Sequence, residues 1–504
     1  RDRFGEKPLY YGLHQGAFLF ASELKALRAV PGFDPDIDRR ALTEYFRWTN
    51  VPSPMTIYEG VCKLPPAHFL RVSEPVAIPE PQPYWSALDS AGAAPPLSDG
   101  VEAVDLLGEV LDRAVGAQMV SDVPLGAFLS GGVDSSSVVA AMQRQSSVPV
   151  RTFTIGFSEP AYDESGYAAE VAAALGTDHT ELVVSPGDAM RVIPDLPRIY
   201  DEPFADSSQI PTFLVSRMAR EHVTVALSGD GGDELFGGYD RYRQIERLER
   251  IRNLLPAGAR RIFGSALEHM PIQTWDRLGT TLPRPLVPSG LRHRTGHRMH
   301  KVARLLAAAD APDVYASLMS VETGGGGLVL GAADAPPAFG GVPTEQLTGL
   351  KPFERAMLID ALTYLPGDLL TKVDRASMAV SLEVRVPFLD PDLFAFAWSL
   401  SREHRVRNGQ GKWVLRELLR RSLPDHLIDR PKMGFGVPVG QWLRGPLRSW
   451  ADELLDPALV KEQGFLDPVT VERRWTTHRE GRADLTFQVW SLLMFQAWLV
   501  EESG

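Results

Sequence analysis

The sequence predicts an α/β fold: a doubly wound parallel sheet followed by a mostly helical carboxyl-terminal part. Three observations carry this. Strand and helix signals alternate between residues 121 and 227, two of the strands run directly into loops of small residues, and apolar spacings of three and four dominate beyond about Lys351. Such alternation implies parallel strands covered by helices on both faces, which puts ligands at the carboxyl ends of the strands.

Residues 1–30, RDRFGEKPLYYGLHQGAFLFASELKALRAV, read as two strands around a glycine-containing turn and then a helix. A helix-like DRRALTEYFRW follows at 38–48, with a proline-rich turn at 51–54. From 73 to 99 prolines sit among small and polar residues, the composition of a connector, and a boundary near Ala91 would divide 1–90 from 91–504. Residues 100–120 space apolar side chains as an amphipathic helix. Then come a strand at 124–129, a loop and helix to 142, a strand at 150–157, and a helix at 163–175 ended by Gly176. A strand at 179–185, a helix at 210–222 and a strand at 223–227 complete the alternation. Residues 241–345 carry helical pieces, scattered Arg and His and a GGGG turn at 324–327, with nothing spaced as a metal site. Beyond them, 358–380 and 411–423 are apolar-periodic and predict helices that close over a site.

The 504 residues allow roughly three domains, and 44% hydrophobic residues suffice for sizeable cores. A formal charge of −12 without a sustained Lys/Arg block argues against nucleic acid as the main partner, while a local basic cleft for a small anionic ligand stays compatible with an acidic surface. No apolar run approaches a membrane span, and RDRFGEKP is unlike a secretory signal. One cysteine, Cys62, excludes an internal disulfide framework and a cysteine-based zinc site; a reducing cytoplasm is the simplest location.

The chemistry concentrates in two loops. In 121–142, SDVPLGAFLSGGVDSSSVVAAM, an apolar strand breaks into a Ser/Gly turn at a helix start. Gly131 and Gly132 permit close backbone approach, Ser130 and Ser135 add hydroxyl donors, and the helix dipole favours an anion there, so phosphate would fit. The Walker A pattern with its lysine is absent, so phosphate charge would have to be met by a metal, with Asp134 a natural ligand. The bland alternative is a glycine-rich turn that binds nothing. The second loop, in VTVALSGDGGDELFGGY at 223–239, places Asp230, Asp233 and Glu234 within five positions, costly unless a cation or a proton relay uses them. Lys412 stands at a helix start, where the dipole disfavours a cation; an anionic partner and a solvated lysine both remain open.

The first loop resembles the SGGxDS loop of ATP pyrophosphatases, and its pairing with SGDGGDE is similar to the synthetase part of the glutamine-dependent asparagine synthetase family. KVDRASMAVSLEVRVPFLD at 372–390, GKWVLRELL at 411–419 and RPKMGFGVPVGQWL at 430–443 match further blocks in order, and DEPFADSSQIPTFLVSR at 201–217 resembles a longer bacterial subgroup more than the shorter members. The resemblance implies that Leu129 and Ile155 bracket adenine, that Ser228 and Gly229 contact the nucleotide, and that Asp134 and Asp233 hold Mg2+ on ATP. It implies that Lys412 neutralises pyrophosphate and the α-phosphoryl transition state, and that Asp230, where several relatives carry Glu, serves the intermediate or the attacking amine with support from Glu383. The reaction so implied adenylates the β-carboxylate of aspartate and displaces AMP with ammonia from glutamine; a homodimer is compatible with it.

RDRFGEKPLYY and ASELKAL resemble the last part of the family's N-terminal-nucleophile glutaminase domain, which implies that its nucleophilic cysteine and glutamine pocket lie in a segment before Arg1. Cys62 would then be a small, partly buried side chain. Two alternatives remain at this level: the same adenylating chemistry on another carboxylate, as in relatives that close β-lactam rings or lasso peptides or amidate sugars and peptides, and a catalytically silent regulatory homologue.

Overall fold

In this computed structural model the structure describes residues 1–73, 77–93, 97, 99–158, 163–254, 311–322, 327–333, 349–430 and 436–503, with a few single positions between. Most of the 241–345 stretch, including 324–326 of the glycine run, and residues 431–435 of the RPKMGFG block lie outside the described residues. By their contacts the residues form two compact units, a larger one of 1–238, 324–342 and 359–504 and a smaller one of 239–323 and 343–358.

In the larger unit the amino-terminal segment forms an antiparallel sheet of β1 (Tyr10–His14), β2 (Ala17–Ala21) and β3 (Val61–Lys63), in the order β2-β1-β3. β1 and β2 turn at Gln15 and Gly16, both at positive φ (49° and 78°), the backbone that lets a two-residue turn match strand twist. A helix at Arg39–Trp48 begins where the Asp38 carboxylate accepts from the N–H groups of Arg40 and Ala41.

The central sheet has five strands: β4 (Leu125–Phe128), β5 (Arg151–Phe157), β6 (Asp178–Val184), β7 (Val225–Leu227) and β8 (Glu383–Arg385). Every pairing is parallel and the order is β8-β7-β4-β5-β6. β5, TFTIGF after Arg151, is buried on both faces, as a central parallel strand must be. Chain order reverses between β4 and β7, whose carboxyl ends therefore diverge into a crevice, and both small-residue loops begin there. Helices at Gly100–Gln118 and Val133–Gln145 lie against each other beside the sheet, and both pack on a helix at Trp413–Leu419.

The expected helical run at 358–380 is broken. One helix ends at Leu362, a π-helical turn spans Leu365–Leu369, and a second helix runs Leu370–Met378. Pro366 has no N–H to continue the ladder, so the backbone widens locally and the α-helix resumes after Leu369.

This second helix carries charges into the core. Arg375 is 2% exposed; it donates to Tyr10 Oη at 3.0 Å and to the Ser22 carbonyl at 3.0 Å, and lies 3.8 Å from Asp201. Lys7 pairs with Asp374 at 2.8 Å, Lys63 pairs with Glu202, and Trp498 donates to the Asp201 carbonyl at 3.0 Å. Residues on both sides of Ala91 are thus joined through buried charge as well as through one apolar core that includes Tyr10, Leu24, Ile210 and Trp498. Arg375→Met should destabilise the fold by about 3 kcal/mol, because Tyr10 Oη and the Ser22 carbonyl keep their burial and lose their donor, and Asp201 is left with Lys25 at 3.2 Å as its cation; a thermal unfolding midpoint unchanged from the parent would contradict this.

The smaller unit contains a helix at Asp240–Asn253 packed on one at Ala311–Met319, and Arg355 holds Glu249 with two contacts of 2.9 and 2.7 Å.

Candidate active site

Both loops are shaped by hydrogen bonds that leave the helix start open. Leu129, buried, donates its N–H to the Phe153 carbonyl at 2.9 Å and so continues β4 by one residue; Ile155 is buried farther along the neighbouring strand β5. Ser130 Oγ and Ser135 Oγ are 3.0 Å apart, and Ser135 Oγ accepts from Ser130 N–H at 3.2 Å, which folds the turn over the start of the Val133–Gln145 helix. No side chain caps that helix, leaving its first-turn donors for an anion. Arg430 clamps the turn from outside: it donates to the Gly131 carbonyl, and its guanidinium lies 4.2 Å above the Tyr167 ring.

In the second loop Ser228 donates its N–H to the Arg385 carbonyl at 2.9 Å and its hydroxyl to Asp230 Oδ2 at 2.5 Å. The loops meet backbone on backbone at Gly229, where a Cβ would stand 2.6 Å from the Ser135 nitrogen. That contact brings Asp134 and Asp233 together, 99 positions apart in the chain by their numbers.

Lys412 lies between them. Its ammonium pairs with Asp134 Oδ2 and, at 2.6 Å, with Asp233 Oδ1. Burial alone would push this lysine down, and the two carboxylates outweigh burial and hold it above its ordinary value. Lys412 has φ 60° and ψ 33°, a left-handed conformation that non-glycine residues adopt at a cost. A hairpin of Val406–Arg407 with Gln410–Gly411 delivers it there, turning through Asn408 and Gly409 at φ 52° and 77°. The open choice at the sequence level is thereby decided: Lys412 has anionic partners, and they are the two carboxylates.

Two carboxylates aimed at one cationic point are hard oxygen donors that suit Mg2+ once phosphate oxygens complete its shell. Among the described residues no group of three His, Cys, Asp or Glu could hold a metal alone, so a metal here would need the nucleotide.

Asp230 stands apart from that pair. Its burial raises its proton affinity, Ser228 and Lys372 oppose the rise, and Asp233 adds to it. Lys372 belongs to a cluster not anticipated from sequence: its ammonium contacts Asp206 Oδ2 at 2.6 Å and Ser208 Oγ at 2.7 Å, with Asp368 at 3.9 Å. Despite its own burial, Asp206 is held down to about 2, chiefly by Lys372. Part of the signal for this cluster was present as Lys372 and Asp368 within apolar-periodic sequence, where charge is buried only when paired; Asp206 lies outside that stretch. Glu383 is not brought to Asp230. It opens β8 level with Val225, five residues before Asp230, is half-exposed, and accepts from Arg385 Nε at 2.7 Å.

Cys62 lies in β3, opposite Tyr11. Burial raises its thiol above the ordinary value against a lowering contact from Tyr11, the reverse of what a nucleophilic thiolate needs.

Residues 106–500 match the asparagine synthase family model. The chain belongs to the asparagine synthase family. It is accordingly a ligase of that type, and residues 1–85 match the glutamine amidotransferase domain. A Mycobacterium tuberculosis protein provisionally named asparagine synthetase (glutamine-hydrolyzing) is 35% identical over 99% of this chain and 73% of its own length. Asparagine synthetase (glutamine-hydrolyzing) 1 of Bacillus subtilis is 31% identical over 99% of this chain and 74% of its own. The Penicillium rubens protein named amidase chyE is 26% identical, over 93% and 71%. Within the described residues of this asparagine synthase family member, no helix is long and apolar enough to cross a membrane.

Proposed function

We propose that this protein amidates aspartate to asparagine at the expense of ATP, through β-aspartyl-AMP, with ammonia delivered from glutamine by the amidotransferase part. The observation that carries the proposal is the convergence of Asp134, Asp233 and Lys412 at the switch point of the sheet, supported by family membership. A β-carboxylate oxygen attacks the α-phosphorus of ATP and the bond to pyrophosphate breaks. Ammonia then attacks the acyl carbon, AMP leaves with the former carboxylate oxygen, and the nitrogen sheds a proton. Adenylation is needed because a free carboxylate has no leaving group better than oxide.

In this proposal the Ser130–Ser135 turn and the helix start after it bind phosphate, and Leu129 and Ile155 line the base. Asp134 and Asp233 would hold Mg2+, which supplies charge neutralisation at the phosphates. Lys412 follows the pyrophosphate, and Asp230 takes the proton from the amine. Residues 1–90 are assigned to the amidotransferase part and 91–504 to the synthetase.

Incubation with ATP, Mg2+, aspartate and ammonium should yield AMP and pyrophosphate in equal amounts, with asparagine. The relative named an amidase makes the acceptor the point to vary, so the assay runs across aspartate, glutamate and peptide carboxylates. Pyrophosphate release only with a non-aspartate acceptor would replace aspartate in this proposal; ADP as product would remove the adenylation.

A further inference from the structure

The Asp134–Asp233 pair already has a cation, and it is part of the chain. Lys412 is 6% exposed and bridges both carboxylates, so half of their formal charge is offset without any ion. Little room is left beside it: Gly238 packs so closely on Asp233 and on the Lys412 side chain that a Cβ there would overlap both. The backbone on the other side is fixed too, since Gly411 abuts the Gly237 carbonyl, 2.6 Å from where its Cβ would stand, and Lys412 N–H donates to the Phe236 carbonyl at 3.2 Å. Only the side chain is free to change partner. A divalent ion and an ammonium group repel at such separations, and the repulsion is strong where water is excluded.

We propose that Lys412 is the resident counter-ion of the metal site and makes metal entry conditional on nucleotide. Mg2+ displaces the ammonium only when nucleotide phosphate offers Lys412 another anion, so metal and ATP enter together and the two carboxylates do not accumulate free metal. Lys412 thus holds two positions in one cycle, on the carboxylates before ATP binds and on phosphate after. This rests on the proposed assignment of Asp134 and Asp233 as metal ligands.

The test measures Mn2+ binding to the full chain by calorimetry, with and without the non-cleavable analogue α,β-methylene-ATP, in the parent protein, Lys412→Met and Lys412→Gln. Without nucleotide, the parent should bind Mn2+ at least about tenfold more weakly than Lys412→Met, and the analogue should raise parent affinity by a similar factor. The gain from analogue should shrink in Lys412→Met, and Mn2+ should raise the unfolding midpoint of that variant more than that of the parent. If Lys412→Met does not fold by circular dichroism, Lys412→Gln, one atom shorter but still a hydrogen-bond donor without the charge, decides the matter. If the neutral variants bind Mn2+ without nucleotide no better than the parent does without nucleotide, while the parent binds it with the analogue, the counter-ion role is overturned and the metal assignment stands. A parent that binds no Mn2+ under either condition would remove both.

Discussion

Asp134→Asn should lower pyrophosphate release from ATP about a hundredfold or more while the chain stays folded. Asparagine fills the space beside Gly232, where a Cβ would come within 2.5 Å of Asp134 Oδ1, so packing between the loops is conserved in shape. What disappears is one of the two negative groups facing Lys412. In the proposed reaction that group fixes charge against phosphates, and positioning plus charge stabilisation is most of what phosphoryl-type chemistry requires of a protein. The expected loss corresponds to about 2.7 kcal/mol of transition-state stabilisation. Circular dichroism and the unfolding midpoint check the fold, and pyrophosphate release checks the chemistry. Turnover within threefold of the parent would show that Asp134 is not part of the phosphate machinery.

The second large effect separates Asp230 from Asp233. Asp233 shares Lys412 with Asp134, whereas Asp230 is hydrogen-bonded to Ser228 and feels Lys372. Asp233→Asn should therefore weaken metal-dependent nucleotide binding about tenfold or more, with slower turnover as a consequence. Asp230→Asn should spare nucleotide affinity and pyrophosphate release and slow amide formation about a hundredfold, the range for loss of a positioned proton acceptor. Burial suits Asp230 to that task by raising its proton affinity. The competing view is that Asp230 only shapes its loop through Ser228; asparagine preserves that hydrogen-bonding shape, so Asp230→Asn would then be nearly silent. Binding, pyrophosphate release and amide formation measured separately decide between the two. Failure of both variants at the same step would end the division of labour.

The strand and helix alternation, both loops and their small residues were legible in sequence because they rest on local rules: period, glycine, helix start. Gly176 ends its helix at φ 70° as expected, and the helix predicted at 100–120 spans Gly100–Gln118. The identity of the family was legible as well, since SGGVDSS, SGDGGDE and GKWVLR each keep their spacing. Local rules failed where a residue's role depends on what faces it. Glu383 adjoins the site in sequence blocks, yet parallel register sets it at the opposite end of the strand from the loops. Lys372 lies in the apolar-periodic stretch 358–380, and only the fold puts Asp206, 166 positions away, against it. Lys412 is the sharpest case. A lysine at a helix start is equally compatible with solvent and with an anion, because sequence does not record partners 179 and 278 positions distant. The sequence by itself determined the elements, the family and the residue types needed for phosphate chemistry; the tertiary structure alone decided which charges meet, because buried ion pairs form by contact across the sheet's switch point, where chain separation carries no information about distance in space.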